Sequence, residues 1–180
     1  VDAVYVMFGG ADSVNFLTQY YQAGGKIPLI GGSNVTDQTV LSTKGPFQRH
    51  IIGIPSAHMV ADGIEDPAYQ AYVAKYKKRF PDGLAAPSAP FYGYYVATKA
   101  ALTALAQVGG DLGGNQVKFR EALAKLKLDT PTGPVSLDEN RQAIANIFVT
   151  EVAQRPDGTL YTKVVKVMRG VNQTLGQPRD

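Results

Sequence analysis

Two short apolar runs that each end in paired glycines, with one helix's worth of sequence between them, constrain this chain more than any other feature. Val4-Tyr5-Val6-Met7-Phe8 is β-branched and aromatic and stops at Gly9-Gly10, the pattern of a strand buried on both faces. Val14, Phe16, Leu17, Tyr20 and Tyr21 then recur at helical spacing until Gly24-Gly25, with Asp12 or Ser13 predicted as the N-cap. Ile27-Pro28-Leu29-Ile30 follows as a second short strand and closes in Gly31-Gly32-Ser33-Asn34. Strand, helix and strand over so few residues make a βαβ unit, so the two strands are predicted to be parallel. In a parallel sheet the C-terminal strand ends lie side by side. The loops after Phe8 and after Ile30 are therefore predicted to flank one crevice, where ligands bind in this architecture.

Downstream, Asp37 to Leu41 reads as a short helix, and His50-Ile51-Ile52-Gly53-Ile54 as a third strand running into Pro55-Ser56. Helices are predicted from Pro67 to Phe80, where Tyr69, Tyr72, Val73, Tyr76 and Phe80 form an apolar stripe, and from about Pro90 to Val108, stopped by Gly109-Gly110. Asn115 is placed to cap a further helix from Gln116 to Leu126, with Leu123 and Leu126 facing inward. Thr130 to Pro134 is a turn. Val135 to Leu137, Ala145 to Val152 and Thr159 to Val167 alternate like antiparallel strands, and Arg155-Pro156-Asp157-Gly158 turns between the last two.

Composition removes several classes of function. There is no cysteine, so a disulfide framework, a thiolate zinc site and a cysteine nucleophile are excluded. The two histidines, His50 and His58, are separated by Gly53 and Pro55 and match no ligand spacing, so no metal and no cofactor are expected. The formal net charge is +3, and Lys75, Lys77, Lys78 and Arg79 read as a solvated helix end, so no nucleic-acid partner is expected. No apolar run is long enough to span a bilayer. The sequence opens on Val1-Asp2-Ala3 without a methionine and runs straight into strand-like residues, which reads as a cut end.

Catalytic motifs are absent. Neither G-x-S-x-G nor a nucleotide-binding glycine fingerprint occurs, and a triad assembled from Ser33 or Ser56, His58 and Asp37 has no motif to position it, so no catalytic residue is assigned. Gly9-Gly10-Ala11-Asp12-Ser13 sits between a strand and a helix N-terminus, where backbone N–H groups favour an anionic or polar ligand. Phe91, Tyr92, Tyr94 and Tyr95 crowd one helix start and must point in several directions, into the core, toward a lobe contact or onto a ligand.

The stretches Val6-Met7-Phe8-Gly9-Gly10-Ala11-Asp12, Ile27 to Gln38 with Val40-Leu41, Tyr95-Val96-Ala97 with Ala100 to Leu105, Thr130 to Val135 with Asp138, and Val171 to Gly176 occur in an order that resembles the type I periplasmic solute-binding proteins of the branched-chain amino acid and organic acid ABC importers. The likeness runs over the whole chain but corresponds only to the family's C-terminal half. It implies an α/β fold: the parallel βαβ sheet of one lobe, helices, and C-terminal antiparallel strands, together an incomplete two-lobe fold. Residues 1–55 and 148–180 would belong to the C-terminal lobe and 56–147 to the N-terminal lobe, with hinge crossings at Gly53 to Ser56 and near Phe148-Val149.

What the resemblance implies about function is solute binding by hinge closure, outside the cytoplasm in the periplasm or at the extracellular membrane surface, with membrane ABC permease subunits as partners and no enzymatic step. The ligand-facing residues carried over are Phe8, Gly9, Gly10, Ala11, Ser33 and Asn34. Amino-acid binders of the family hold the ammonium with a carboxylate where this chain has Ser33, and Gly9 replaces an aromatic and widens the pocket. A small organic carboxylate, aromatic ones included, is therefore expected, with Asp37 able to serve an ammonium only if the loop folds back. A branched-chain amino acid, or a ligand-sensing domain of a signalling receptor, is the alternative. Without the other half of the fold, the helices at 67–80 and 90–108 are expected to lack their sheet, so that the chain alone binds weakly and pairs with a second copy or belongs to a longer protein.

Overall fold

In the structure, a computed structural model that describes residues 1–174, the first two strands are β1 (Val4–Val6) and β2 (Leu29–Gly31), joined by helix α1 (Gly10–Gln22). They pair in parallel with Val4 opposite Leu29 and Val6 opposite Gly31, as the βαβ pattern requires. The helix start departs from the prediction. Gly9 is the N-cap and makes no side-chain cap bond, while Ser13 is turned fully into the core and Asp12 stands exposed in the first turn. At the other end Gly24 takes φ +77°, so that its N–H and that of Gly25 reach back to Tyr21 O and Tyr20 O at 3.1 and 2.9 Å. This left-handed glycine stop satisfies the last carbonyls of the helix.

Helix α2 (Gln38–Leu41) is capped by Asp37, and a 3-10 helix covers Pro46–His50. The predicted strand at His50 to Ile54 does not form. Ile51 and Ile54 are buried and Ile52 is exposed, the spacing of a turn, and Gly53 at φ +89° reverses the chain. The strand begins instead at Pro55, as β3 (Pro55–His58). Helix α3 (Pro67–Arg79) is capped by Asp66 and carries Lys77, Lys78 and Arg79 in its last turn, where cations complement the helix dipole. Helix α4 (Ala89–Gln107) is capped by Ser88 and ends on Gly109-Gly110 in the manner of α1. Helix α5 (Gly113–Ala124) contains Gly114, Asn115 and Gln116 in left-handed conformations, so Asn115 does not cap it. The chain leaves the helix early because Leu126 and Leu128 alternate with exposed Lys125, Lys127 and Asp129, and the strand β4 (Lys127–Thr130) takes these residues.

Strands β5 (Gly133–Leu137), β6 (Ala143–Gln154) and β7 (Leu160–Val171) complete a five-stranded antiparallel sheet. One edge of the long β6 pairs first with β5 and then with β3, whose Pro55 to His58 lie opposite Glu151 to Phe148, and β7 lines its other edge. Inward-facing Asn146, Phe148, Thr150 and Val152 alternate along β6 with half-buried residues, as the period-2 pattern predicts.

Buried side chains form two separate clusters. Val6, Leu17, Leu29, Phe47 and Ile54 pack with Val152 and Leu160, whereas Val60, Ile64, Tyr69, Tyr72 and Tyr92 pack with Phe148 and, at the periphery, Val164. Strands β6 and β7 thus contribute to both. The stripe of α3 is covered, contrary to expectation: Tyr69, Tyr72 and Val73 pack in the second cluster, Tyr76 is buried against Phe80 and Phe91, and only Phe80 at the end is exposed. On α4, however, an open face remains, with Tyr94 77% and Leu102 61% exposed. Leu175-Gly176 and the end of the 148–180 segment lie outside the described residues.

Candidate ligand site

The loops after β1 and β2 leave the sheet at the same end. Gly32 N–H donates to Val6 O at 2.8 Å, which continues the parallel pairing past the last strand residues. One residue further the chains nearly touch: a Cβ built on Gly9 would lie 3.3 Å from Asn34 Cβ, and one on Gly32 would lie 2.8 Å from Met7 Sδ and 3.0 Å from Val6 O. Glycine at these two positions is what lets the loops run this close. Gly10, at φ +52°, gives the chain the left-handed turn that starts α1 immediately after the first loop.

Phe8, Gly9, Ala11, Ser33 and Asn34 are exposed and Gly10 is partly so, and the two loops meet at Gly9 and Asn34 to form an open shelf above the strand ends. Phe8 is steadied from behind by Phe16, ring centroids 5.3 Å apart. Met7, 71% exposed beside Gly32, extends the shelf, and sequence reasoning missed it because it looked like the interior of a strand. The shelf also receives the unpaired N–H groups at the start of α1, with Asp12 as the neighbouring acid. The shelf is open surface, and the hollows lie elsewhere, one of about 650 Å³ beside Tyr76, Phe80 and Phe91 and an open groove of about 850 Å³ along α4.

Asp37 does not fold back to the shelf. It is buried, with Oδ1 accepting from Thr39 N–H at 3.0 Å and Oδ2 from Ala89 N–H at 2.6 Å. No Ser-His-Asp array forms either: His58 Nε2 shares a 2.7 Å hydrogen bond with Thr36 Oγ1, and Ser56 Oγ donates to Gly32 O. Burial holds the His58 imidazolium pKa down at about 4, the Asp37 charge offsetting part of that effect. Among the described residues no cluster of three His, Asp or Glu side chains is arranged to hold a metal, and no helix is long and apolar enough to cross a membrane. Of the aromatic group at the start of α4, Tyr92 is buried on Thr130 and Thr132, Tyr95 packs on Tyr72, Phe91 joins Tyr76 and Phe80, and Tyr94 stays in solvent.

Paired glycine-rich loops over the ends of adjacent parallel strands, beside an antiparallel sheet whose long strands reach two buried cores, define a mixed α/β fold of the ligand-binding-lobe kind. The periplasmic binding protein family matches residues 1–159, and the chain belongs to that family. Among curated proteins it is 28% identical over 164 residues to Leu/Ile/Val-binding protein homolog 6 of Brucella melitensis, covering 87% of this chain and 40% of that protein. Among solved structures it superposes with TM-score 0.81 on an ABC transporter substrate-binding protein from Sphaerobacter thermophilus, 26% identical, over 94% of this chain and 45% of that one. A solute-binding protein of an ABC transporter from Rhodopseudomonas palustris, solved with 3,4-dihydroxybenzoic acid, gives the same TM-score at 28% identity, again over 94% and 45% of the two chains. The chain thus spans less than half the length of these relatives.

Proposed function

We propose that this chain supplies one wall of the solute cleft of an ABC importer's binding protein, working in the periplasm or at the extracellular membrane surface and delivering a small organic carboxylate, aromatic ones included, to the permease. The observation that carries the reading is the abutment of Gly9 and Asn34, which joins two strand-end loops into a single shelf that carries apolar Met7 and Phe8 beside polar Ser33 and Asn34. Its chemistry favours an anion over a zwitterion. The second loop offers Ser33 and Asn34 in place of a carboxylate, Asp37 is already engaged by two N–H groups, and the first loop opens on a helix N-terminus. The relative solved with a dihydroxybenzoate supports the aromatic reading, and the Leu/Ile/Val-binding relative supports the amino-acid alternative.

In this reading residues 1–55 with the tail from 148 form one lobe and 56–147 part of the other, and the division of the buried side chains into two clusters supports it. The open face of α4 is then surface that a second copy or further chain covers, so the 180-residue chain by itself binds weakly.

A thermal-shift and calorimetric screen tests the assignment, run on this chain and on the longest polypeptide in which it is encoded, with benzoate, hydroxybenzoates, leucine, isoleucine and valine. Aromatic carboxylates are expected to raise the Tm of the longer form, and Asn34→Leu to abolish the rise. Stabilisation by amino acids alone, lost in Asp12→Asn, would replace the ligand class. No shift with any of these would remove the cleft reading.

A further inference from the structure

Thr36, Asp37 and Gln38 are consecutive, buried to 1%, 5% and 3% exposure, and polar, in a segment that begins just after the Ser33-Asn34 loop. Burial of three successive polar side chains is unfavourable unless each is hydrogen-bonded. Each is, and each to a different part of the chain. Thr36 bonds His58 at the end of β3. Asp37 accepts from Ala89 N–H at the first residue of α4, whose Tyr92 belongs to the second core cluster. Gln38 Nε2 donates to Asp62 Oδ2 at 2.7 Å and to Leu160 O in β7 at 3.4 Å. Asp62 in turn accepts from Thr162 N–H and Oγ–H at 2.9 and 3.1 Å, which ties the loop after β3 to β7.

We propose that Thr36-Asp37-Gln38 is a clasp that sets the angle between the two core clusters and thereby positions the Ser33-Asn34 loop. Apolar contact is non-directional and tolerates sliding, whereas buried hydrogen bonds demand both distance and angle. The two clusters share no buried residue, and this network bonds a member of each, Leu160 of the first and Ala89 of the second. About 10 Å³ of free space remains among Thr36, Asp37, His58 and Asp62, at the lower limit for one water. The side chains cannot exchange partners unless the segments part. Val35, 1% exposed, couples the clasp to the loop through its N–H to Gly32 O, 3.0 Å. The purpose of the clasp rests on the solute-binding reading above; its test does not.

The absence of cysteine makes the test direct. Gln19→Cys on α1 and Lys75→Cys on α3 place two nitroxide labels at exposed positions, one on each unit, and pulsed electron resonance reads the distance between them in the 180-residue chain without any ligand. The parent is expected to give one narrow distribution. Asp37→Asn, which turns an amide N–H toward a backbone N–H, and Gln38→Leu are expected to broaden it and shift its mean. Asp66→Ala, which removes a cap of the same kind inside one unit, lowers the Tm but leaves the distribution in place. Should Asp37→Asn fail to fold, Thr36→Val removes only the His58 contact and reads the same quantity. Distributions for the folded clasp variants that superimpose on the parent's would overturn the proposal, whatever the ligand screen finds.

Discussion

Acidification should destabilise this protein through His58, and the size of the effect follows from its surroundings. The imidazole is 3% exposed and held by Thr36, and burial lowers its pKa from 6.5 to about 4. The folded protein therefore keeps it neutral down to about pH 4, while the unfolded chain takes up a proton as the pH passes 6.5. Between those values the unfolded state binds more protons, so stability falls as the pH falls. The loss is complete below the folded pKa and, at about 1.4 kcal/mol per unit, amounts to roughly 3 kcal/mol. That is a large part of the roughly 5–15 kcal/mol by which a typical domain is stable. Asp62 acts with the opposite sign, because burial raises its pKa and protonation relieves a buried charge, so the parent's profile alone does not isolate the histidine. Urea unfolding at pH 7 and pH 4 on the parent and on His58→Gln, which keeps a polar partner for Thr36 but cannot titrate, does so. The parent should lose about 3 kcal/mol more than the variant over that interval. Parallel losses would mean that the site admits water and that burial does not suppress the charge.

Other substitutions probe other contacts. Gly32→Ala brings a Cβ against Val6 O, which cannot yield as the neighbouring Met7 side chain can, and is expected to cost about 1–3 kcal/mol in chemical denaturation. Leu17→Ala empties a position of zero exposure at the centre of the first cluster, with an expected loss of about 3 kcal/mol; a loss below about 1 kcal/mol would show that the cluster collapses into the space. Tyr92→Phe removes a hydroxyl bonded to Thr130 Oγ and Thr132 Oγ, and a fall of about 1–2 kcal/mol in the same assay is expected. Leu102→Lys puts a charge on the open face of α4 and should raise the monomer fraction in sedimentation; an unchanged distribution would show that this face does not associate.

Local chemistry made much of the architecture readable. The alternation from apolar run to glycine pair to helical stripe located β1, α1 and β2, although β1 stops at Val6 and exposed Tyr5 and Ile30 leave one face of the pair open where burial on both faces was expected, and glycine pairs mark the ends of α1 and α4 because a left-handed residue there satisfies the final carbonyls. The loop pair that forms the shelf follows from parallel pairing alone. The errors fall where short patterns are ambiguous: the isoleucines at 51, 52 and 54 suit a strand or a turn, and Leu126 reads as the end of a helix and Thr130 as the start of a turn until β5 provides a partner for Lys127 to Thr130. The clasp lay beyond reach for a different reason. Thr36, Asp37 and Gln38 look like a short helix's cap and start, and they are, but their decisive partners lie 22 residues away for Thr36, 52 for Asp37, and 24 and 122 for Gln38. Periodicity reports which face of an element is apolar, since that depends on neighbours a few residues apart. Which buried polar groups meet depends on how whole elements cross, and no local pattern carries that information.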